Sequence, residues 1–561
     1  MKEKIITDCA VLKKDQVKTI RPIAAYSLHG IARWQNYLLA IDSISGYLLQ
    51  IDPVSGNTII LNSKHWQDFI GSTGIAICQR DRIWFTNREG VYVCSLTDNQ
   101  KAPELFIRLW DAPQGIAIWE STIYVSSQKS GKIHVFDRET GKEITYFYAP
   151  GIGVENITIK DEQLWVSDNL EQTVYCLDRA TGQIIYSMLT PFPSPTGLSF
   201  YTEESTQKET LYVTYAFREP YIRDNPNRDP SHEMQYRDQT FIHPLYFHYY
   251  EDKKYTLSNG YRVEMTYVEE ISPLDQVNLQ NLEWRIALPT DTNRQKVIKV
   301  EAIGLPFTEE VNSEGQKVAV FKFDHFTGDT RCIFGWRAVI ELWSLKYQIT
   351  PKDCESLPPL SEEYQQRYLL DDDDLAMSTE IIQRAAREAI NNETNLLRQV
   401  YNIRTYVYDR LSYGMKPHID TPDIALKRGV GSCGEYLGIL LALSRLNGIA
   451  CRTVGRYKCP QNPEQKNIPL IPDYNHVWME FYLPGFGWLP MESNPDDLFD
   501  GGPYPNRFFM GIAWYHAEMA KGVPFEKVTT QGVPLKEINM SIGELALNHV
   551  QFVVLEELIP E

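Results

Sequence analysis

Five related fragments punctuate the first two hundred residues: "GIAR" at 30, "GIAI" at 74, "GIAI" at 115, "NITI" at 156 and "GLSF" at 197, spaced 41 to 44 residues apart. Each opens an apolar run and is followed by a second one: "YLLAID", "RIWFTN", "TIYVSS", "QLWVSD" and "TLYVTY". A third run with a D-x-x-[ST]-G turn usually follows, as in "KIHVFDRETGKE" and "TVYCLDRATGQI". The alternation, the β-branched and aromatic content and these turns predict strands joined by hairpins. Four short strands in every repeat cannot bury a core alone. Stacked radially, they make the blades of a propeller.

Counting favours five blades. The fifth unit shows two inner strands and loses the repeat near Phe217, while "KIITDCAVLKKDQVKTI" at the N-terminus fits a third and a fourth strand. A sixth, degenerate blade over residues 218–257 is the competing account. Residues 1–216 resemble the large propeller families that include the NHL, quinoprotein-type and lyase-type sheets. That resemblance implies an architecture and no particular activity. His29, His65 and His134 are too few and irregular for a ring of metal ligands, and Asp42 and Asp168 suit turns, so no metal or other cofactor is expected.

The formal net charge of −18 disfavours nucleic-acid backbones and anionic membranes as partners. The first twenty residues lack an apolar signal region, and no run of eighteen apolar residues suggests a membrane span. Nine scattered cysteines without a CxxC pair read as reduced thiols, which places the chain in the cytoplasm. Nothing in the sequence fixes an oligomeric state. Residues 217–257 read as an aromatic connector, rich in Pro, Asp, Arg and Tyr. From "KKYTLSNGYRVEMTYV" onward, residues 258–350 read as an all-β module. Residues 351–378 read as a proline- and acid-rich linker, in which the Asp371 to Asp374 run is a solvated lead-in to a helix rather than a calcium site.

Residues 379–561 carry the chemistry. A helix capped by Ser378 or Thr379 precedes a second with Leu396, Val400, Ile403 and Val407 on one face. In "GVGSCGEYLGILLALSRLNG", Cys433 stands between small residues at the mouth of a helix that is apolar nearly all round and stops at Asn447-Gly448. The positive end of the helix macrodipole favours a thiolate there. Strands "CRTVGRYK", "HVWMEFYL" and "GWLPME" follow, an α+β pattern. A thiolate nucleophile needs a base that returns the proton, and His476 opens the second strand. The base needs an acceptor to fix its tautomer, and the hairpin through "LPGFG" lets Glu492 approach His476.

Residues 380–515, through these segments and "YVYDRLSYG", resemble the transglutaminase-like cysteine superfamily, and residues 258–350 resemble the β-sandwich that often precedes such domains in bacteria. The resemblance implies a papain-like fold with a Cys-His-Asp triad. Cys433 matches the nucleophile and His476 the base. Glu492 stands where the family usually has Asp, and the extra methylene leaves Asn494 or Asp496 as substitutes. The implied activity is acyl transfer from peptide or side-chain amides, hydrolysis being favoured over cross-linking. A protein or peptide substrate is expected, neutral or basic given the net charge, selected by the connector and one propeller face. The alternative is an inactive domain serving as a binding scaffold.

Overall fold

The computed structural model describes residues 19–560, apart from 79–81, 97–100, 204–206, 222–234, 274–275, 314, 373, 417, 462–464, 473–474 and 495–502. The repeat folds as five antiparallel sheets. The first is Leu28–Trp34, Tyr37–Asp42, Tyr47–Ile51 and Thr58–Ile60, and the next three repeat that order over 74–108, 116–148 and 154–189.

The repeated glycine is explained by how tightly the innermost strands approach. A Cβ on Gly115 would lie 2.6 Å from the Asn156 Cα, and one on Gly197 2.0 Å from the His29 carbonyl oxygen. Asn156, the exception in the repeat, uses its larger side chain across the ring, donating from Nδ2 to the Thr73 carbonyl at 2.8 Å. Hydroxyls near the end of the second strand tie one blade to the next at three of the five junctions: Thr86 to Gln114 O (2.6 Å), Ser126 to Glu155 O (2.6 Å) and Thr214 to His29 O (2.8 Å). The last of these bonds closes the ring. Asp42 and Asp168 accept backbone N–H bonds from their own turns.

The last blade departs from the sequence expectation. Its strands are Pro195–Thr202, Glu209–Tyr221 and Gln235–Leu245. The third strand thus comes from the stretch read as a connector, and not from the N-terminus. It lacks the repeat signature and carries Arg237, Asp238 and Pro244, which hide it from pattern reading. Ile20 bridges Ile242 through two backbone bonds of 2.8 and 2.9 Å, so the N-terminal segment touches the outer edge of this blade. Residues 1–18, where the sequence reading puts most of the N-terminal strands, lie outside the described residues. No sixth sheet forms over 218–257 among the described residues, because Phe247–Tyr250 pairs with the start of the next module.

That module is a two-sheet sandwich. The long strands Tyr255–Ile271 and Ile333–Tyr347 pair at the centre of one sheet, and Asn278–Ala287 and Lys317–Thr327 pair in the other. Trp284, Phe321, Phe334 and Trp336 fill the space between them. Ala546–Leu558 pairs with Tyr255–Ile271, and Glu526–Thr530 with Asn278–Ala287. The sandwich therefore takes strands from residues assigned by sequence to the α+β domain.

Five helices, α1 (Glu362–Tyr368), α2 (Glu380–Ile390), α3 (Leu396–Tyr408), α4 (Pro422–Arg428) and α5 (Cys433–Leu446), join the three-stranded sheet Cys451–Tyr457, Asn475–Leu483 and Gly487–Met491. α5 packs against α2, α3, α4 and that sheet, with Ile439, Leu440 and Leu443 fully buried. α1 lies within the stretch read as a linker, its Tyr368 resting edge-on against Trp488. Asp371 accepts from the Leu375 and Met377 N–H groups, Asp372 pairs with Arg445 and Asp374 with Lys536, so the acidic run braces this joint. Among the described residues no helix is long and apolar enough to cross a membrane.

Candidate active site

Small residues surround Cys433 because the chain turns sharply into α5. Gly429 ends α4 with φ +74, in the left-handed region that favours glycine. A Cβ on Gly431 would stand 2.8 Å from the Glu435 Cβ, and one on Gly434 2.8 Å from the Ile419 Cδ1. Ser432 caps α5 in a capping box: its N–H and hydroxyl donate to the Glu435 carboxylate at 2.8 and 2.5 Å. Burial would raise Glu435, but these bonds hold it below the usual carboxylate range. The cap fixes the first turn, and with it the Cys433 side chain, which is partly exposed. Burial pushes the thiols of Cys94 and Cys176 up to about 12 and that of Cys451 to about 11.

The structure brings the three sequence candidates together. His476 is buried, its Nε2 is 2.7 and 3.0 Å from the two Glu492 carboxylate oxygens, and its side chain hydrogen-bonds that of Cys433. With Nε2 committed to Glu492, Nδ1 is the ring nitrogen left to face the thiol. Burial pulls the imidazolium's pKa down, but the Glu492 charge and the Cys433 hydrogen bond outweigh it and raise His476 above the ordinary histidine value. Burial likewise would raise Glu492, yet His476 and His516 hold it well below the usual range. Asn494 instead accepts from the Ser493 hydroxyl at 3.0 Å, and Asp496 lies outside the described residues.

His516 is the residue that sequence reading missed. Its Nε2 hydrogen-bonds the Glu492 Oε1, its Nδ1 lies 3.2 Å from the Ala513 carbonyl oxygen, and burial pushes its pKa down to about 3. Glu492 thus hydrogen-bonds two imidazoles, which restrain the extra rotor that a glutamate brings to this position. "AWYHAE" carries no motif, and only the fold delivers it to the site. The donor atoms of His476, Glu492 and His516 lie within 4.8 Å of one another, a set that could hold a divalent cation in place of the hydrogen bonds.

Three modules grip the segment that carries His516. Arg294 of the sandwich, 1% exposed, donates to the His516 and Ala513 carbonyls at 3.0 Å and pairs with Glu518 at 2.8 Å. The Trp514 N–H donates to the Ser344 hydroxyl at 3.0 Å, and its indole N–H to the Pro191 carbonyl of the propeller at 3.0 Å. Glu171 of the propeller accepts from the Asn506 N–H at 2.6 Å, and Arg404 of α3 reaches Asn506 Oδ1 at 3.2 Å.

Beside the site lies a cavity of about 690 Å³, large enough for a small peptide segment. Gly434, next to Cys433, and Val477, next to His476, line it with Arg452, Arg456 and Phe525. Among the described residues, none that lines it comes from the propeller.

Residues 383–493, which contain Cys433, His476 and Glu492, match the transglutaminase-like superfamily. No curated protein matches the chain. Among solved structures, the chain is similar to one described as a "Putative Cysteine Protease from Cytophaga hutchinsonii", at 16% identity and a TM-score of 0.39, covering 54% of this chain and 93% of that one. It is also similar to regucalcin, a calcium-binding protein of Agrobacterium tumefaciens, at 13% identity and a TM-score of 0.28, covering 40% of this chain and 92% of that one. Residues 383–493 are thus a transglutaminase-like superfamily domain, joined here to a sandwich and an N-terminal β-propeller.

Proposed function

We propose that the protein is a cysteine-dependent acyl-transfer enzyme acting on peptide or side-chain amides, with hydrolysis favoured over cross-linking. The observation that carries this reading is the buried relay in which His476 hydrogen-bonds both Cys433 and Glu492. The Cys433 sulfur attacks the amide carbon as its proton passes to His476 Nδ1. Glu492 holds the imidazole and stabilises the imidazolium that forms. The backbone N–H of Cys433, at the mouth of α5, stabilises the oxyanion. Collapse of the tetrahedral intermediate expels the amine, which takes the proton back from His476 and leaves a thioester on Cys433. Water, or a second amine, then attacks the thioester and restores the thiol. The propeller's part in selection falls on substrate reaching beyond the cavity, which it does not line.

Hydrolysis and amine incorporation measured side by side on glutamine-bearing peptides test the reading. Cys433→Ala is expected to lower both by about a thousandfold or more. Undiminished turnover in that variant would overturn the mechanism, and no turnover of any amide by the unsubstituted protein would favour the scaffold.

A further inference from the structure

The net charge argues for a neutral or basic substrate, but the cavity beside Cys433 is locally different. Its charged residues are largely matched: Asp372 pairs with Arg445, Asp420 with Arg428 and Arg452 with Glu480. Arg456 is not. Among the described residues it makes no ion pair, and its buried Nε has no hydrogen-bond partner. Its side chain hydrogen-bonds that of Tyr457, and its guanidinium lies 5.7 Å from the centre of the Phe525 ring.

Position gives this arginine its meaning. Arg456 stands directly across from His476 in the antiparallel pair of strands Cys451–Tyr457 and Asn475–Leu483. Residues opposed in this way have Cβ atoms about 4.5–5.5 Å apart and share a face. Arg456 also lines the cavity that Gly434 and Val477 border. The Arg456 charge also acts on Glu269 and Glu526, two carboxyls that hydrogen-bond each other and that burial raises above the ordinary carboxylate range.

Resting on the proposed function, we infer that the cavity takes an amide substrate bearing a carboxylate, which the Arg456 guanidinium binds. A planar guanidinium with an open edge suits a carboxylate better than any neutral group. The anion would lie beside the base and orient the scissile amide toward Cys433.

The test compares alkylation of Cys433 by iodoacetate and by iodoacetamide, its neutral counterpart, in the full chain at low ionic strength, with the labelled peptide followed by mass spectrometry. Arg456→Gln is expected to lower the iodoacetate-to-iodoacetamide rate ratio about five- to tenfold, and Arg456→Lys to keep most of it. An unchanged ratio in Arg456→Gln overturns the inference. The unsubstituted protein gives a second arm that needs no folded variant. N-acetylisoglutamine, with a side-chain carboxylate, or N-acetylglutamine, with a terminal one, should protect Cys433 where N-acetylglutaminamide does not. Which acid protects identifies the source of the carboxylate, and equal protection by all three, or by none, overturns the inference. Labelling of Cys433 no faster than Cys78 by either reagent is a different result, which overturns the proposed nucleophile and the inference with it.

Discussion

The two halves of this molecule are built by opposite rules. Each of the first four propeller blades is a contiguous stretch whose strands pair with their sequence neighbours, so the ring is made of local hairpins plus a repeated contact between blades. The sandwich and the α+β core interleave instead. The strand Tyr255–Ile271 pairs with Ala546–Leu558, and Glu492 is held by a histidine on a segment gripped by all three modules. Local construction should confine the damage from a substitution, whereas interleaved construction should carry it to the site.

Arg294→Ala gives the largest expected contrast. It takes from Glu518 one of its two ion-pair partners, Lys521 remaining, and removes the bonds to the His516 and Ala513 carbonyls, at a cost of about 3–5 kcal/mol. Chemical denaturation should record that loss, and alkylation of Cys433 should slow in parallel because the His516–Glu492 contact loosens. Gly115→Ala is the matching lesion in the ring. Its Cβ would meet backbone atoms of Asn156 and Glu155 at 2.6 and 2.7 Å, with an expected cost of about 1–3 kcal/mol. Cys433 reactivity should hardly change, and a slowing equal to that in Arg294→Ala would erase the distinction between the halves.

The smallest effect is the pH dependence that one carboxyl pair adds to the interleaved half. Burial, and then the Glu526 charge, push Glu269 up from 4.5 to about 8. Its folded-state pKa is raised, so this pair's contribution to stability is complete below about pH 4.5 and is lost as pH rises through about 8. The thermal midpoint should therefore fall between pH 5 and 9 by more in the unsubstituted protein than in Glu526→Gln. Equal slopes would show that Glu526 does not raise Glu269.

The same contrast explains what the sequence could reveal. The inner strands were legible because a glycine recurs in four of the five units where one blade approaches the next. Cys433, His476 and Glu492 were legible because a capped helix and one hairpin fix them within 60 residues. The third strand of the last blade, the C-terminal strands of the sandwich and His516 were not. Each is placed by a partner hundreds of residues away or by a loop without a motif, and periodicity reports only on the surface a segment buries, never on which segment buries it.

The long-range pairing in the sandwich also sets a timetable. A ribosome reaches Ala546–Leu558 about 290 residues after Tyr255–Ile271, roughly 15 to 60 seconds later at about 5–20 residues per second. The propeller strands have all been made by Leu245 and are free to close early in that interval. Meanwhile the strand Tyr255–Ile271 presents one edge of unpaired backbone N–H and C=O groups. A product cut short before its last strand keeps that edge open, a template on which another chain can pair.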